Sequence, residues 1–342
     1  LKGWQVAFIA VGSPGLLLSL WVATLREPVR GMADGIYTAP EPHPFRIFFH
    51  ELRAVLPPLT FLHLWLEKAG PRGFAMNLGA AALLVGLALL MIRVTGSHAQ
   101  WIALCLGLYS AFSWAQALAL RDRPTFALTL RTPSIWWTGL GFGCIAFASY
   151  ALAYWTAPFF IRTHGISASQ AGFFLGGTAA AAGLVGVTLG GWSADWLRQR
   201  SPIGRIWVGL LVALTLPPIA WVVGTTEHLW LALALNVPLV VSSSMWVGAG
   251  ASTMQDLVLP RMRGACAALF LLMMTFLGLA LGPYTVGQLS VWLDGNLSHA
   301  LLIGMSVNLP AIGFLLLCMR SLPHDQASML ERARAVGEPS TQ

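Results

Sequence analysis

The stretch "GGWSADWLRQR" at residues 190–200 sets one aspartate and two arginines between two runs that are otherwise almost wholly apolar. Only 10% of the 342 residues are charged and 56% are hydrophobic, whereas soluble domains carry about 25% charged residues. Outward from this stretch the apolar runs are long. Residues 74–92, "FAMNLGAAALLVGLALLMI", hold no charge, and about 18 or more such residues suffice to cross a bilayer. The chain therefore reads as an all-α polytopic membrane protein. A large soluble helical protein would not leave runs of this length uninterrupted.

Nine candidate spans follow, at about 4–25, 73–93, 100–120, 134–159, 169–192, 206–224, 228–249, 264–290 and 298–319. Residues 56–65, "LPPLTFLHLW", are too short to cross and hold a Pro-Pro step. They read as an interfacial or re-entrant piece after an amphipathic helix at 45–55. The polar tail holds "SMLERARAV", a candidate short amphipathic helix. With the N-terminus outside, every Lys and Arg except Lys2, Arg93 and Arg162 falls on the inner side, as the positive-inside rule requires. This orientation puts the C-terminus in the cytoplasm and fits the plasma membrane or bacterial inner membrane.

The net charge of +7 does not point to nucleic acid, because the basic residues lie in short loops between apolar runs. Cys105, Cys144, Cys266 and Cys318 all lie inside apolar runs, where a cysteine packs as a small hydrophobe. His43, His50 and His63 form no tight metal-ligand pattern in the sequence. No metal and no cofactor is expected.

Charge costs most where water is scarce, so Asp195 needs partners. Gly190 and Gly191 are expected to let helices approach closely. On a loop between two spans, Asp195 could accept bonds from backbone N–H groups at a neighbouring helix N-terminus. Arg198 and Arg200 could pair with it or with carboxylates across the loop. Asp256, at the end of the seventh span, could pair with Arg261 or Arg263 and close an inner gate.

The pattern G-x-x-x-D-x-x-R-x-R, formed by Gly191, Asp195, Arg198 and Arg200, resembles the cytoplasmic motif of the major facilitator superfamily, which joins the second and third helices of each six-helix half. Trp196 stands where a basic residue is common, and Arg198 where glycine is usual. Residues 3–31 resemble the family's sixth helix and its cytoplasmic exit. "LPRMRGACAALF" at 259–270 resembles the start of the eleventh, with Arg263 and Gly264 at its beginning. "GLALGPYTVG" at 278–287 resembles the Gly-Pro-rich part of that helix, where Gly282 and Pro283 would kink it. Residues 236–287 are similar to spinster-like transporters, a branch associated with sphingosine-1-phosphate, lysophospholipids and related amphiphiles.

The resemblance implies a major-facilitator-like C-terminal six-helix half at 133–320. Before it come the last helix of the N-terminal half (1–26), a linker (27–72) and two inserted helices with their loop (73–132). A cytoplasmic tail (321–342) follows. Five helices would precede residue 3, and the chain begins with Leu1 rather than Met. A fragment, an unusual start codon or a processed chain is the expectation.

The resemblance also implies which helices face the cavity. On these, Tyr150 and Tyr154, Asn236, Ser243 and Trp246, and Met274 and Thr275 are the candidate contacts for a solute with a polar head and an apolar body. Each has a plainer reading: interfacial aromatics for the tyrosines, helix packing for Ser243, bending beside Pro238 for Asn236, core filling for Met274. No Asp, Glu, Lys or Arg lies at mid-depth in a span, so a coupling ion such as a proton has no visible site in this chain.

The expected function is secondary active transport by alternating access of an amphiphilic, lipid-like or organic-anion solute. A truncated, non-transporting half-transporter acting as a binding or scaffold protein is the alternative. A membrane enzyme such as a lipid acyltransferase would need acid, base or nucleophile clusters near the interface. The sequence shows none, so the chain is not expected to be an enzyme.

Overall fold

The computed structural model describes residues 3–26 and 43–338, and what it describes is helical. Contacts divide the chain into two units, residues 1–48 and 49–342. In the first unit, α1 (Gly3–Ala23) is a 21-residue apolar helix that carries Pro14 within it. Much of the linker, residues 27–42, lies outside the described residues, as do Lys2 and Arg30.

Nine helices among the described residues are long and apolar enough to cross a membrane. Three shorter helices lie between them along the chain. Helix α2 (Pro44–Val55) has the expected charged and apolar faces, and α3 (Leu59–Leu66) is eight residues long. Helix α6, introduced below, is the third. The inserted pair is α4 (Gly70–Thr95) and α5 (His98–Arg121). Gly96 ends α4 in the left-handed region (φ 73°), where a glycine carries no Cβ penalty.

A buried polar network ties α3 to the pair. The Tyr109 hydroxyl donates to Asn77 Oδ1 at 2.5 Å and meets Thr60 Oγ1 at 3.0 Å. Asn77 Nδ2 donates to Gln116 Oε1 at 2.9 Å, and Gln116 donates to the Gly73 carbonyl at 2.7 Å. Asn77 is fully buried. Pairing at nearly every group is what makes such a network tolerable in an apolar setting.

The C-terminal bundle begins after α6 (Arg123–Leu130). It comprises α7 (Pro133–His164), α8 (Ala168–Arg200), α9 (Gly204–Thr225), the broken pair α10 (Leu229–Ser244) and α11 (Trp246–Gln255), then α12 (Arg263–Met273) and α13 (Gly282–Trp292), and finally α14 (Leu297–Met305) and α15 (Asn308–Ala327). Helix α7 packs against α15 and α13, and α8 against α10 and α9. Capping explains the starts and stops. Ser167 and Gln170 form a capping box at α8, Asp122 caps α6 through the Thr125 N–H, and Asn296 caps α14 through the His299 N–H.

Small residues set the closest crossings. A Cβ on Gly186 or Gly190 of α8 would collide with backbone of α10 or of Met245, which follows it. Gly191 has nothing within 4 Å of such a Cβ, so of the glycine pair only Gly190 makes the close approach expected of both. Between α12 and α13, residues Met274–Ala280 adopt a π-helical turn. The helix is interrupted at Leu281, just before Gly282 and Pro283: Gly282 abuts the Phe147 carbonyl of α7, and Pro283 supplies no N–H. Two side chains serve the carbonyls near this break. Gln100 of α5 donates to Ala280 at 2.8 Å, and Trp155 of α7 to Pro283 at 2.8 Å.

Two expectations are revised. Asp195, Arg198 and Arg200 do not lie on a loop: α8 continues as helix to Arg200, and only residues 201–203 connect it to α9. Helices need not stop where the apolar run stops, and polar residues satisfy their own backbone as the helix leaves the bilayer. The segment 123–130, taken as loop, is helix α6, nucleated by the Asp122 cap and Pro124 in its first turn. The tail helix α16 (Met329–Ala335) falls where its pattern placed it.

Candidate functional site

The charged stretch joins three helix ends. Arg205, in the first turn of α9, donates from Nη2 to Asp195 Oδ1 at 3.0 Å and from Nη1 to Asp256 Oδ2 at 2.6 Å. Arg198 donates from Nε to the same Asp256 oxygen at 3.3 Å. Asp256 follows α11, where the helix dipole disfavours a carboxylate; two guanidiniums offset that. Arg205 sits at a helix N-terminus, where its own charge is disfavoured, and Asp195 offsets it. Burial is uneven: the Arg205 side chain is 16% exposed and that of Asp195 66%. Asp195 thus contributes a screened pair, whereas Arg205 and Asp256 form the shielded centre.

The partners differ from those expected. Asp195 meets a guanidinium from the next helix rather than backbone N–H groups, whereas Arg198, of its two expected kinds of partner, takes another carboxylate, Asp256, and not Asp195. Arg200 stacks its guanidinium over the Trp196 ring, 3.4 Å from the centroid, a cation–π contact. Arg261 does not pair with Asp256. It donates to Asp122 Oδ2 at 2.7 Å and also binds Glu338. Arg263 stands exposed at the first position of α12. Arg205 was absent from the expected set because it lies beyond the turn, on a different helix from the motif.

The Arg261 contact makes a second fastening at the same end of the bundle. Burial works to raise the Asp122 carboxyl, but hydrogen bonds from Arg261 and Thr125 prevail and hold it below its ordinary value. Nearby, Asp325 accepts from the Ser134 N–H at 3.0 Å and from its hydroxyl at 2.6 Å. Arg332 of the tail donates to Thr132 Oγ1 at 2.8 Å. The Asp325 bonds join α15 to the start of α7, and the Arg332 bond joins α16 to the turn between α6 and α7.

Away from that end, a cleft of about 540 Å³ opens between α7, α8 and α10. Its walls are chiefly Leu, Ala, Ile and Gly, with Thr156, Asn236, Ser243 and Ser244 as polar groups. Ser243 and Ser244 donate to the Val240 carbonyl, and Thr156 to the Leu152 carbonyl, so these hydroxyls are already engaged. Asn236 is different. It is 2% exposed and its Oδ1 has no hydrogen-bond partner within the protein. A buried amide oxygen left unpaired costs about 1–3 kcal/mol, and a donor on a bound solute would recover that.

The other candidates separate. Tyr150 and Trp246 meet edge to face at 6.5 Å between centroids, and Trp246 Nε1 donates to Ser149 at 3.1 Å. Tyr154 is 66% exposed. Met274 is buried in the core, beside Met273 packed on Gly139, while Thr275 is exposed. Thus Asn236 and Ser243 line the cleft, half-buried Tyr150 and buried Trp246 form an aromatic pair, and Tyr154, Met274 and Thr275 are not among its lining residues. Thr156 went unnoticed in the sequence, although it falls one helical turn after Leu152 on the same wall of α7.

No family model matches the chain. It is 30% identical over 202 residues to an MFS-type efflux pump of Mycolicibacterium smegmatis, a match covering 58% of this chain and 46% of that protein. The chain therefore spans about half the length of this relative. Among solved structures it is similar to a bacterial homologue of the human lysosomal transporter Spinster, in an inward-facing and occupied conformation. There the TM-score is 0.50 at 20% identity, over 65% of this chain and 58% of that one. That likeness establishes the fold.

Proposed function

We propose that this chain, a spinster-like member of the major facilitator superfamily, provides the C-terminal half of a secondary active transporter that works by alternating access. It takes an amphiphilic, lipid-like or organic-anion solute. The observation that carries this reading is the cleft between α7, α8 and α10, apolar along its walls with one unpartnered amide, Asn236. Apolar walls suit an acyl or aromatic body, and the amide oxygen suits a hydroxyl or ammonium donor on its headgroup. In this reading α1 is the last helix of the N-terminal half, and α4 and α5 are an insertion between halves.

The end of the bundle bearing Arg198, Arg205 and Asp256 faces the cytoplasm of a plasma or inner membrane, with the C-terminus on the same side. That assignment follows the positive-inside distribution of Lys and Arg. The Arg205 cluster holds α8, α9 and α11 together as one body, while rocking against the other half opens and closes the cleft.

The test is flux of a fluorescent lysophospholipid and of a small organic anion into vesicles containing the reconstituted gene product. The reading requires saturable, protein-dependent flux of at least one, lost in Asn236→Leu. Flux of both no faster than into protein-free vesicles would overturn it.

A further inference from the structure

We propose that His50, His63 and Glu67 form a binding site for a zinc-class divalent cation. The three come from two short helices before the inserted pair: His50 from α2, and His63 and Glu67 from α3 and its C-cap. One ligand atom of each lies within 4.8 Å of the other two. His50 Nε2 and Glu67 Oε1 are 3.1 Å apart. In a tetrahedral zinc site, with bonds of about 2.0–2.2 Å, neighbouring ligand atoms stand about 3.3–3.5 Å apart. One edge of the tetrahedron is therefore in place, and a small side-chain rotation brings in the third group.

The chemistry selects the ion. Two imidazoles and one carboxylate suit zinc and its borderline neighbours, whereas calcium and magnesium prefer all-oxygen shells. His63 and Glu67 are four residues apart, so one face of α3 presents both. A simple histidine–carboxylate bond would need only two of the groups. Here the third, His63, is 4% exposed, and its ring meets that of His50 edge to face, 5.2 Å between centroids. Arg53, one turn along α2, opposes a cation and limits affinity. Three protein ligands leave a fourth position for water or an exogenous donor. Once bound, the ion would pin the His50 end of α2 to α3, and α3 is joined to α4 and α5 through Thr60, Tyr109 and Asn77.

The experiment is titration of the purified, tag-free protein with Co²⁺ and Zn²⁺. Expected is one equivalent of Co²⁺ with the intense visible absorption of four- or five-coordinate cobalt, displaced by Zn²⁺ and not by Mg²⁺ or Ca²⁺. His50→Gln and Glu67→Gln, at partly exposed positions, should each weaken binding at least tenfold, and His50→Cys, which restores a ligand, should recover it. No saturable binding, or a weak octahedral cobalt spectrum in the wild type, overturns the proposal without any variant. So does unchanged affinity in both Gln variants, which would locate the ion at other histidines. None of these readouts involves transport, so the site stands or falls apart from the proposed function.

Discussion

Arg205 Nη1 stands 2.6 Å from Asp256 Oδ2, joining the start of α9 to the end of α11. The same guanidinium reaches Asp195 of α8, so one side chain serves two carboxylates on two other helices. The pairs are unequal. Arg205→Ala leaves the half-buried Asp256 with Arg198 alone, and losing a charged hydrogen bond there should cost about 1.5–3 kcal/mol. Asp195→Asn removes a pair whose carboxylate is mostly in water and should cost less than about 1 kcal/mol. Thermal unfolding of the two variants in detergent checks the order. A larger loss for Asp195→Asn would mean that the clasp centres on Asp195.

The two adjacent glycines of the motif should part company on substitution. A Cβ on Gly190 meets backbone of Met245, which cannot move aside as a flexible side chain could. Gly190→Ala should therefore destabilise by about 1–3 kcal/mol through overpacking. Gly191 has open space, and Gly191→Ala should be neutral or slightly stabilising, because alanine is the better helix former. Melting temperatures of the two proteins decide the matter, and equal losses would refute the crossing geometry at α8 and α10.

Much of this was legible in the sequence, for identifiable reasons. Run length and the positions of Lys and Arg give the spans, because both report directly on the hydrocarbon slab. Pairings were less legible. Asp195 is fixed by Arg205, across the α8–α9 turn, and Arg261 is drawn to Asp122 of a helix start and Glu338 of the tail. Local spacing cannot announce partners that three-dimensional packing supplies. Helix α6 was missed for a related reason: eight residues of mixed character carry little periodicity, and it is held by the Asp122 cap and by packing against α16. His50 and His63 look unrelated at thirteen residues' separation in the sequence; only the structure brings their rings to 5.2 Å and Glu67 beside them.

Asn236 separates transport from stability. Its unpaired Oδ1 is a cost to the fold, so Asn236→Leu removes a buried polar group without breaking a bond to that oxygen. Such a change should leave the unfolding temperature unchanged or raise it. Flux should nonetheless fall at least tenfold if the amide meets the solute. Measured together, a fall in both would mark Asn236 as structural, and a fall in neither would remove it from the cleft's function.

The Asp122 fastening should show itself in pH dependence. Its carboxyl is held below the ordinary value of 3.8, against the upward push of burial, by hydrogen bonds from Arg261 and Thr125. A carboxyl depressed in the folded state binds its proton more readily when unfolded. Its stabilisation is therefore complete above pH 3.8 and is lost as pH falls through the lower folded-state value. The side chain is 27% exposed, so screening keeps the contribution modest. Unfolding of the wild type and of Asp122→Asn should differ by a constant amount from pH 7 down to about 5, and the gap should close as pH falls below the ordinary carboxylate value. Arg261→Gln should lose most of the same increment at neutral pH, and adding Asp122→Asn to it should cost little more. A gap between wild type and Asp122→Asn that widens on acidification would mean that burial, not the Arg261 bond, sets the state of this carboxyl.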